Sequence, residues 1–260
     1  MIAGQRFAYA QARLQARYAG LPTEADWGRL RASRSLSGWL EEARAGALKP
    51  WVKGFSAQSD AHDIERGVRA QFVESVQQAA KIMPEPWRDA VLWCRWLPLL
   101  GLFEHLRAGG PPPPWAARDS WLAPMLDHTG RFDMALASSA QIAPLLADGD
   151  AGDAWLEQWR QRWPRCRRSD LRALADISGL CAEHLRRFRQ CPPEQTWSLR
   201  QALRERLRLQ FHLYLLQPAE VFILLALVAL DLERLRRALL DRALFAADAP
   251  AIEAKAGRAA

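Results

Sequence analysis

Residues 60–83 read DAHDIERGVRAQFVESVQQAAKIM. Ile64, Val68, Phe72 and Val76 recur every four residues, which winds them onto one stripe of an α-helix, while Glu65, Arg69 and Gln77 fall off it. A helix with one apolar stripe gains most of its stability by burying that stripe against other elements, so the segment predicts a packed helical protein. Pro84 and Pro86 end it, because proline lacks the backbone N–H that a continuing turn needs.

Outward from this segment, helical periodicity recurs almost everywhere, and the alternation that marks strands is nearly absent. The expected fold class is all-α, an array of helices. A first helix is expected over 5–19, stopped by Gly20-Leu21-Pro22. Thr23 followed by Asp26 has the pattern of a capping box for a second helix, and Ser37 is a candidate cap for a third. After Pro86 a more apolar helix runs to Arg107, and AGGPPPP at 108–114 then combines helix-ending glycines with stiff prolines. This predicts an N-terminal lobe over 1–107, a linker over 108–114, a C-terminal lobe over 115–246 and a loose alanine-rich tail over 247–260.

In the C-terminal lobe helices are expected near 118–127, 131–147 and 151–163. A longer one is expected from a Ser169 cap to Gln190, with Leu171, Leu174, Cys181, Leu185 and Phe188 as its apolar stripe. Pro192-Pro193 ends it, and Thr196 or Ser198 opens a helix carrying Leu199, Leu203, Leu207 and Phe211 on one face. Beyond Pro218 the apolar run VFILLALVAL at 221–230 leads into a charged helix ending near Phe245. That run is about half the roughly 20 residues needed to span a bilayer, so it reads as a buried helix.

Half of the 260 residues are hydrophobic, enough for a substantial core. Arginine dominates the cations, lysine standing only at 49, 53, 81 and 255, and the net charge of +7 favours acidic partners, anionic lipid surfaces or nucleic acid. Cys94, Cys166, Cys181 and Cys191 form no paired motif, and no apolar run follows Arg6 to act as a secretion signal, so a reducing cytoplasm is the expected compartment. Of twelve tryptophans, Trp87, Trp93, Trp96, Trp115 and Trp121 crowd the middle of the chain. Core packing is the expected role for most of them, interface anchoring the other.

Cys181 and His184 are three apart on one helix and, with Cys166 and Cys191, are the sharpest candidate metal ligands. Their separations of 15, 3 and 7 match no compact zinc motif, and Cys181 falls on the apolar stripe, where a thiol acts as a small hydrophobe. Ser138-Ser139 lies within an expected helix, with no glycine turn to expose a nucleophile. No glycine-rich phosphate loop occurs, and the carboxylates Glu41, Glu42, Asp89, Glu104, Asp176 and Glu233 are spaced as on solvated helix faces. No catalytic, cofactor-binding or metal-binding residue is therefore assigned. RWPRCRR at 162–168 and HLRRFR at 184–189 interleave arginine with aromatic residues, and both read as solvated basic surface in a chain without a helix-turn-helix pair.

Two segments carry a family resemblance. In YAQARLQARYAG at 9–20, Tyr9, Arg13 and Arg17 share one register of a helix that leads to Leu30 and a short Ser35–Leu40 helix. In FHLYLLQPAEVFILLALVALDLERLRRALL at 211–240 an apolar-aromatic helix precedes Glu220, which opens the last helix. Together these resemble the C/d-type subunit family of V/A-type ATPases, whose members are designated d in the eukaryotic enzyme, over about a third of the chain. PEPWRDAVLWCRWLPLL and QPAEVFILLALVAL each set proline ahead of an acidic first turn and an apolar helix, which fits either repeated lobes or two unrelated buried helices.

The resemblance implies an all-helical, funnel-shaped, noncatalytic subunit without cofactor. Such a subunit links the central shaft to the membrane rotor ring on the cytoplasmic face, as a peripheral component of ion transport. Its partners would be ring and shaft subunits, not nucleic acid or a small-molecule substrate. The implied partner-binding residues are Tyr9, Arg13, Arg17 and Glu220, the two arginines standing on the surface to hold acidic or polar loops. Two other readings stay open: a helical adaptor or regulatory protein binding an unrelated partner, and arginines that only solvate the outer face of a helix.

Overall fold

The computed structural model describes residues 3–139, 141–147 and 149–245, and the expected tail over 247–260 lies outside them. The chain is all-α. Its helices are α1 Ala3–Ala19, α2 Glu24–Arg29, α3 Leu36–Arg44, α4 Lys49–Val52, α5 Ala61–Ile82, α6 Arg88–Trp93, α7 Leu100–Arg107, α8 Met134–Ser139, α9 Ala143–Leu146, α10 Ala151–Gln161, α11 Arg168–Gln190, α12 Thr196–Leu213 and α13 Ala219–Phe245. Among the described residues there is no strand, and Leu126 and Phe132 form an isolated bridge. No helix among them is long and apolar enough to cross a membrane.

The chain divides into two compact units. Of the described residues, the first holds those up to Tyr18 together with Val73–Leu230, and the second holds Ala19–Phe72 and those of α13 from Asp231 to Phe245. The 108–114 stretch therefore lies inside the first unit, where the sequence placed a boundary. Tryptophans tie the two sides of the stretch into one core. Trp93 Nε1 donates to the buried carbonyl of Trp155 at 3.1 Å, the rings of Trp96 and Trp121 meet edge to face at 6.3 Å, and Arg95 lies 4.3 Å from the Trp121 ring centre. Glu104 also accepts from the Ala151 N–H at 3.1 Å. The glycines still end a helix as expected, Gly109 taking φ 82°, which glycine adopts without a Cβ clash.

In the second unit the apolar stripe of α5 is buried through Ile64, Val68 and Phe72, and Leu232, Leu235 and Leu239 of α13 are buried as well. Arg69, which the stripe pattern leaves outside, is also buried here. A Cβ on Gly67 would come within 2.5 Å of the Phe55 ring, so the missing side chain gives Phe55 its place. Thr23 and Asp26 form the expected capping box on α2. Arg234 pairs with Glu24 at 2.7 Å and lies over Trp27, and Arg242 reaches the Ser33 carbonyl at 2.9 Å.

Several local expectations are corrected. Ser35, not Ser37, caps α3, because its extended backbone lets Oγ accept from the Gly38 N–H at 3.2 Å. The expected helix over 131–147 is two short ones: Asp133 caps α8, Gln141 takes φ 62°, and Pro144 sits in the first turn of α9, where its missing N–H costs nothing. Over 118–127 there is a three-residue turn of 3₁₀-helix at Ala123–Met125, preceded by Asp119 accepting from the Trp121 and Leu122 N–H groups. α11 starts at Arg168, so Ser169 is inside it, and its buried side is carried by Ala173, Leu174, Ile177 and Leu180, while Leu171 is exposed. None of the twelve tryptophans is exposed, which agrees with their reading as packing residues.

Candidate partner-binding site

Ala10 and Leu14 are buried, and this fixes the rotation of α1. At 3.6 residues per turn, Gln11 and Gln15 then flank the buried side on one edge and Arg13 and Arg17 on the other, with Tyr9, Ala12 and Ala16 outward. Glu220 stands in the first turn of α13, immediately after Pro218 and Ala219. It is 1% exposed. Its Oε1 accepts from Gln11 Nε2 at 2.8 Å and from Gln15 Nε2 at 2.7 Å, and Gln11 Oε1 in turn accepts from the Leu216 N–H at 2.6 Å.

Burial pushes the Glu220 carboxyl up to about 7, against the opposing pull of the amide donors Gln15 and Gln11 and the Leu216 N–H. Amides satisfy an acceptor and fix its direction, but they bring no positive charge to hold the proton off. The group therefore changes charge near neutrality at the point where α1 meets α13.

On the other edge the Arg13 guanidinium lies 5.9 Å from the centre of the Tyr9 ring, and both side chains are exposed. Arg17, expected on the surface, is only partly so. It donates to Gln78 Oε1 at 3.2 Å, and its guanidinium is held below its ordinary value by burial first and by Arg13 second. Toward the end of α1, Tyr18 stacks on Phe211 at 4.2 Å, and Arg208 Nε donates to the Tyr18 hydroxyl at 3.3 Å, so α12 lies alongside α1.

Of the four residues singled out in the sequence, Glu220 is brought against the same helix that carries Tyr9, Arg13 and Arg17, but its partners are Gln11 and Gln15. Their signal was a pair of amides four apart on one helix, without a charge or motif to mark them.

The other candidates resolve differently. Among the described residues no group of three or more His, Cys, Asp or Glu side chains is placed to hold a metal, so Cys166, Cys181, His184 and Cys191 do not gather. Burial raises the Cys181 thiol to about 11 and lowers His184, Arg200 adding to the latter. Within the two basic clusters, Arg162 lies 3.9 Å from the Trp93 ring centre and 3.6 Å from Asp89, Arg186 and Arg187 share Glu183, and Arg189 pairs with Asp150. Much of that charge is spent on internal pairs.

The fold and site define an all-helical protein whose opening helix is pinned by a buried carboxyl and turns a Tyr/Arg face outward. No protein family, curated protein or solved structure matches the chain.

Proposed function

We propose that the protein is a noncatalytic rotor-linker subunit of a V/A-type ATPase, coupling the central shaft to the membrane rotor ring from the cytoplasmic side. The observation that supports this reading is the Glu220 node. The two segments that carry the family resemblance are bonded to each other there, Gln15 and Gln11 of the first donating to the Glu220 carboxylate of the second across 205 and 209 residues of chain. A part that passes torque between neighbours needs its contact helix fixed to its body, and the node provides that fixation for α1. The outward face of α1 then supplies the contact: Tyr9 stiffens Arg13 by a cation–π approach, and an arginine fork suits partner carboxylates.

The test is affinity purification of the tagged protein from its native membranes in mild detergent. Recovery of ring and catalytic-head subunits is expected, and Arg13→Glu should reduce that recovery about tenfold with an unchanged far-UV CD spectrum, because Arg13 is exposed. Arg17 is left intact, since reversal there would also disturb its bond to Gln78. Recovery of the protein alone, or with an unrelated soluble partner, would replace this reading with that of a helical adaptor.

A further inference from the structure

α12 ends in a cluster of leucines that the packing of the first unit leaves outside. Leu209 is 73% exposed, Leu213 67%, Leu216 57% and Leu215 48%. The buried side of α12 is taken by Leu203, Leu207 and Phe211, and Leu209 and Leu213 each lie roughly 200° around the helix from one of these. The helix then stops, and the chain turns through Tyr214–Gln217 into α13. Leu216 is held at φ 61°, a left-handed backbone that is costly for a residue with a Cβ. Its N–H is bonded to Gln11, the residue that also holds Glu220. A strained turn that pushes two leucines into solvent is thus anchored to a buried node.

The rim of this surface is basic. Arg206, Arg208 and His212 are exposed on α12, and Arg172 is exposed on α11. Arg172 lies beside Tyr214. The acids here are already engaged: Glu205 lies 3.8 Å from Arg208, and Asp176 accepts from the Tyr214 hydroxyl at 2.7 Å. A second copy of the chain would bring one basic rim against another. A protein partner takes its anchors into fitted pockets, with leucine under-represented among them, whereas these leucines stand off the surface. Exposed aliphatic side chains flanked by arginines match the boundary between headgroups and acyl chains of an anionic bilayer, which needs no shape complementarity.

We infer that the surface formed by Leu209, Leu213, Leu215 and Leu216 docks on an anionic membrane, the leucines entering the acyl boundary while the exposed Arg206 and Arg172 meet lipid phosphates. This goes beyond the rotor-linker reading and does not depend on it. The test is co-sedimentation of the full chain with phosphatidylcholine vesicles, alone or mixed with phosphatidylglycerol. Binding to the mixed vesicles and not to the neutral ones is expected. Leu209→Glu/Leu213→Glu should weaken it by more than about tenfold, Arg206→Glu/Arg172→Glu by about tenfold, and Lys49→Glu, exposed in the second unit, should leave it unchanged. Far-UV CD of each variant should match the parent.

Failure to sediment with anionic vesicles would overturn the inference, as would equal binding by the leucine variant. So would a dimer seen by light scattering that the leucine variant abolishes, which would make the occupant a second copy.

Discussion

Glu220→Gln isolates what it costs this fold to ionise a buried carboxyl. Glu220 is 1% exposed and is held at about 7, against an ordinary 4.5. The folded chain therefore keeps a proton that the unfolded chain gives up at lower pH. By linkage, stability contributed by this group is complete below roughly pH 4.5, falls as pH rises through the interval to about 7, and levels off above it. At about 1.4 kcal/mol per pH unit the full loss is on the order of 3 kcal/mol.

Glutamine keeps the carbonyl oxygen that accepts from Gln11 and Gln15, and it cannot ionise. Any fixed difference between amide and protonated carboxyl is the same at every pH, so the informative quantity is how the gap between variant and parent changes. That gap should widen in favour of Glu220→Gln by about 2–3 kcal/mol between pH 5 and pH 8. Urea unfolding followed by tryptophan fluorescence at steps of pH measures it, and all other carboxylates cancel in the comparison. A gap that stays constant across this range would refute the argument, because it would mean that Glu220 titrates alike in the folded and unfolded chains.

Two further outcomes follow from the core of the first unit. Trp159 stacks on Trp155 at 5.7 Å and meets Trp163 and Phe222 edge-on at 4.9 and 4.8 Å, so Trp159→Ala should lower the urea-derived stability by about 3–5 kcal/mol, with Trp159→Phe recovering part of it. Burial pushes the Cys94 thiol far above its ordinary range, so alkylation at pH 8 read by peptide mass spectrometry should leave Cys94 unmodified in the native protein and modify it in urea.

The all-α class was legible because Ile64, Val68, Phe72 and Val76 repeat at a spacing that only a helix converts into one face, and Thr23 with Asp26 carries its capping geometry within four residues. Ser35 and Ser37 were not separable in this way. Both are competent caps, and the choice turns on which backbone is extended ahead of the helix, a property set by the route of the preceding chain. The exposure of Leu171 had a similar cause: α11 offers Leu171 and Ala173 as alternative edges of one stripe, and the neighbouring elements select the second. The division into units was hidden for a different reason. Glycines and prolines at 108–114 report local stiffness, whereas Trp93 with Trp155 and Trp96 with Trp121 decide which segments share a core, and such pairings leave no mark in local composition.

The candidate site shows how charge placement and helical geometry combine. Glu220 could be read as an acid complementing the positive end of a helix, but its burial makes its partners decisive, and these lie 205 and 209 residues earlier. In a chain whose dominant cation is arginine, the residues facing this carboxyl on α1 are amides. The arginines at 13 and 17 are offset by two positions from Gln11 and Gln15, which on a helix carries them roughly 200° round to the other edge. An arginine at position 11 or 15 would have held Glu220 ionised and made the joint indifferent to neutral pH. The same two-residue offset that leaves Arg13 outward for a partner thus keeps Glu220 able to change charge near neutrality, so that α1 carries an exposed ionic face on one edge and, on the other, the amides that hold the buried, uncompensated carboxyl of α13.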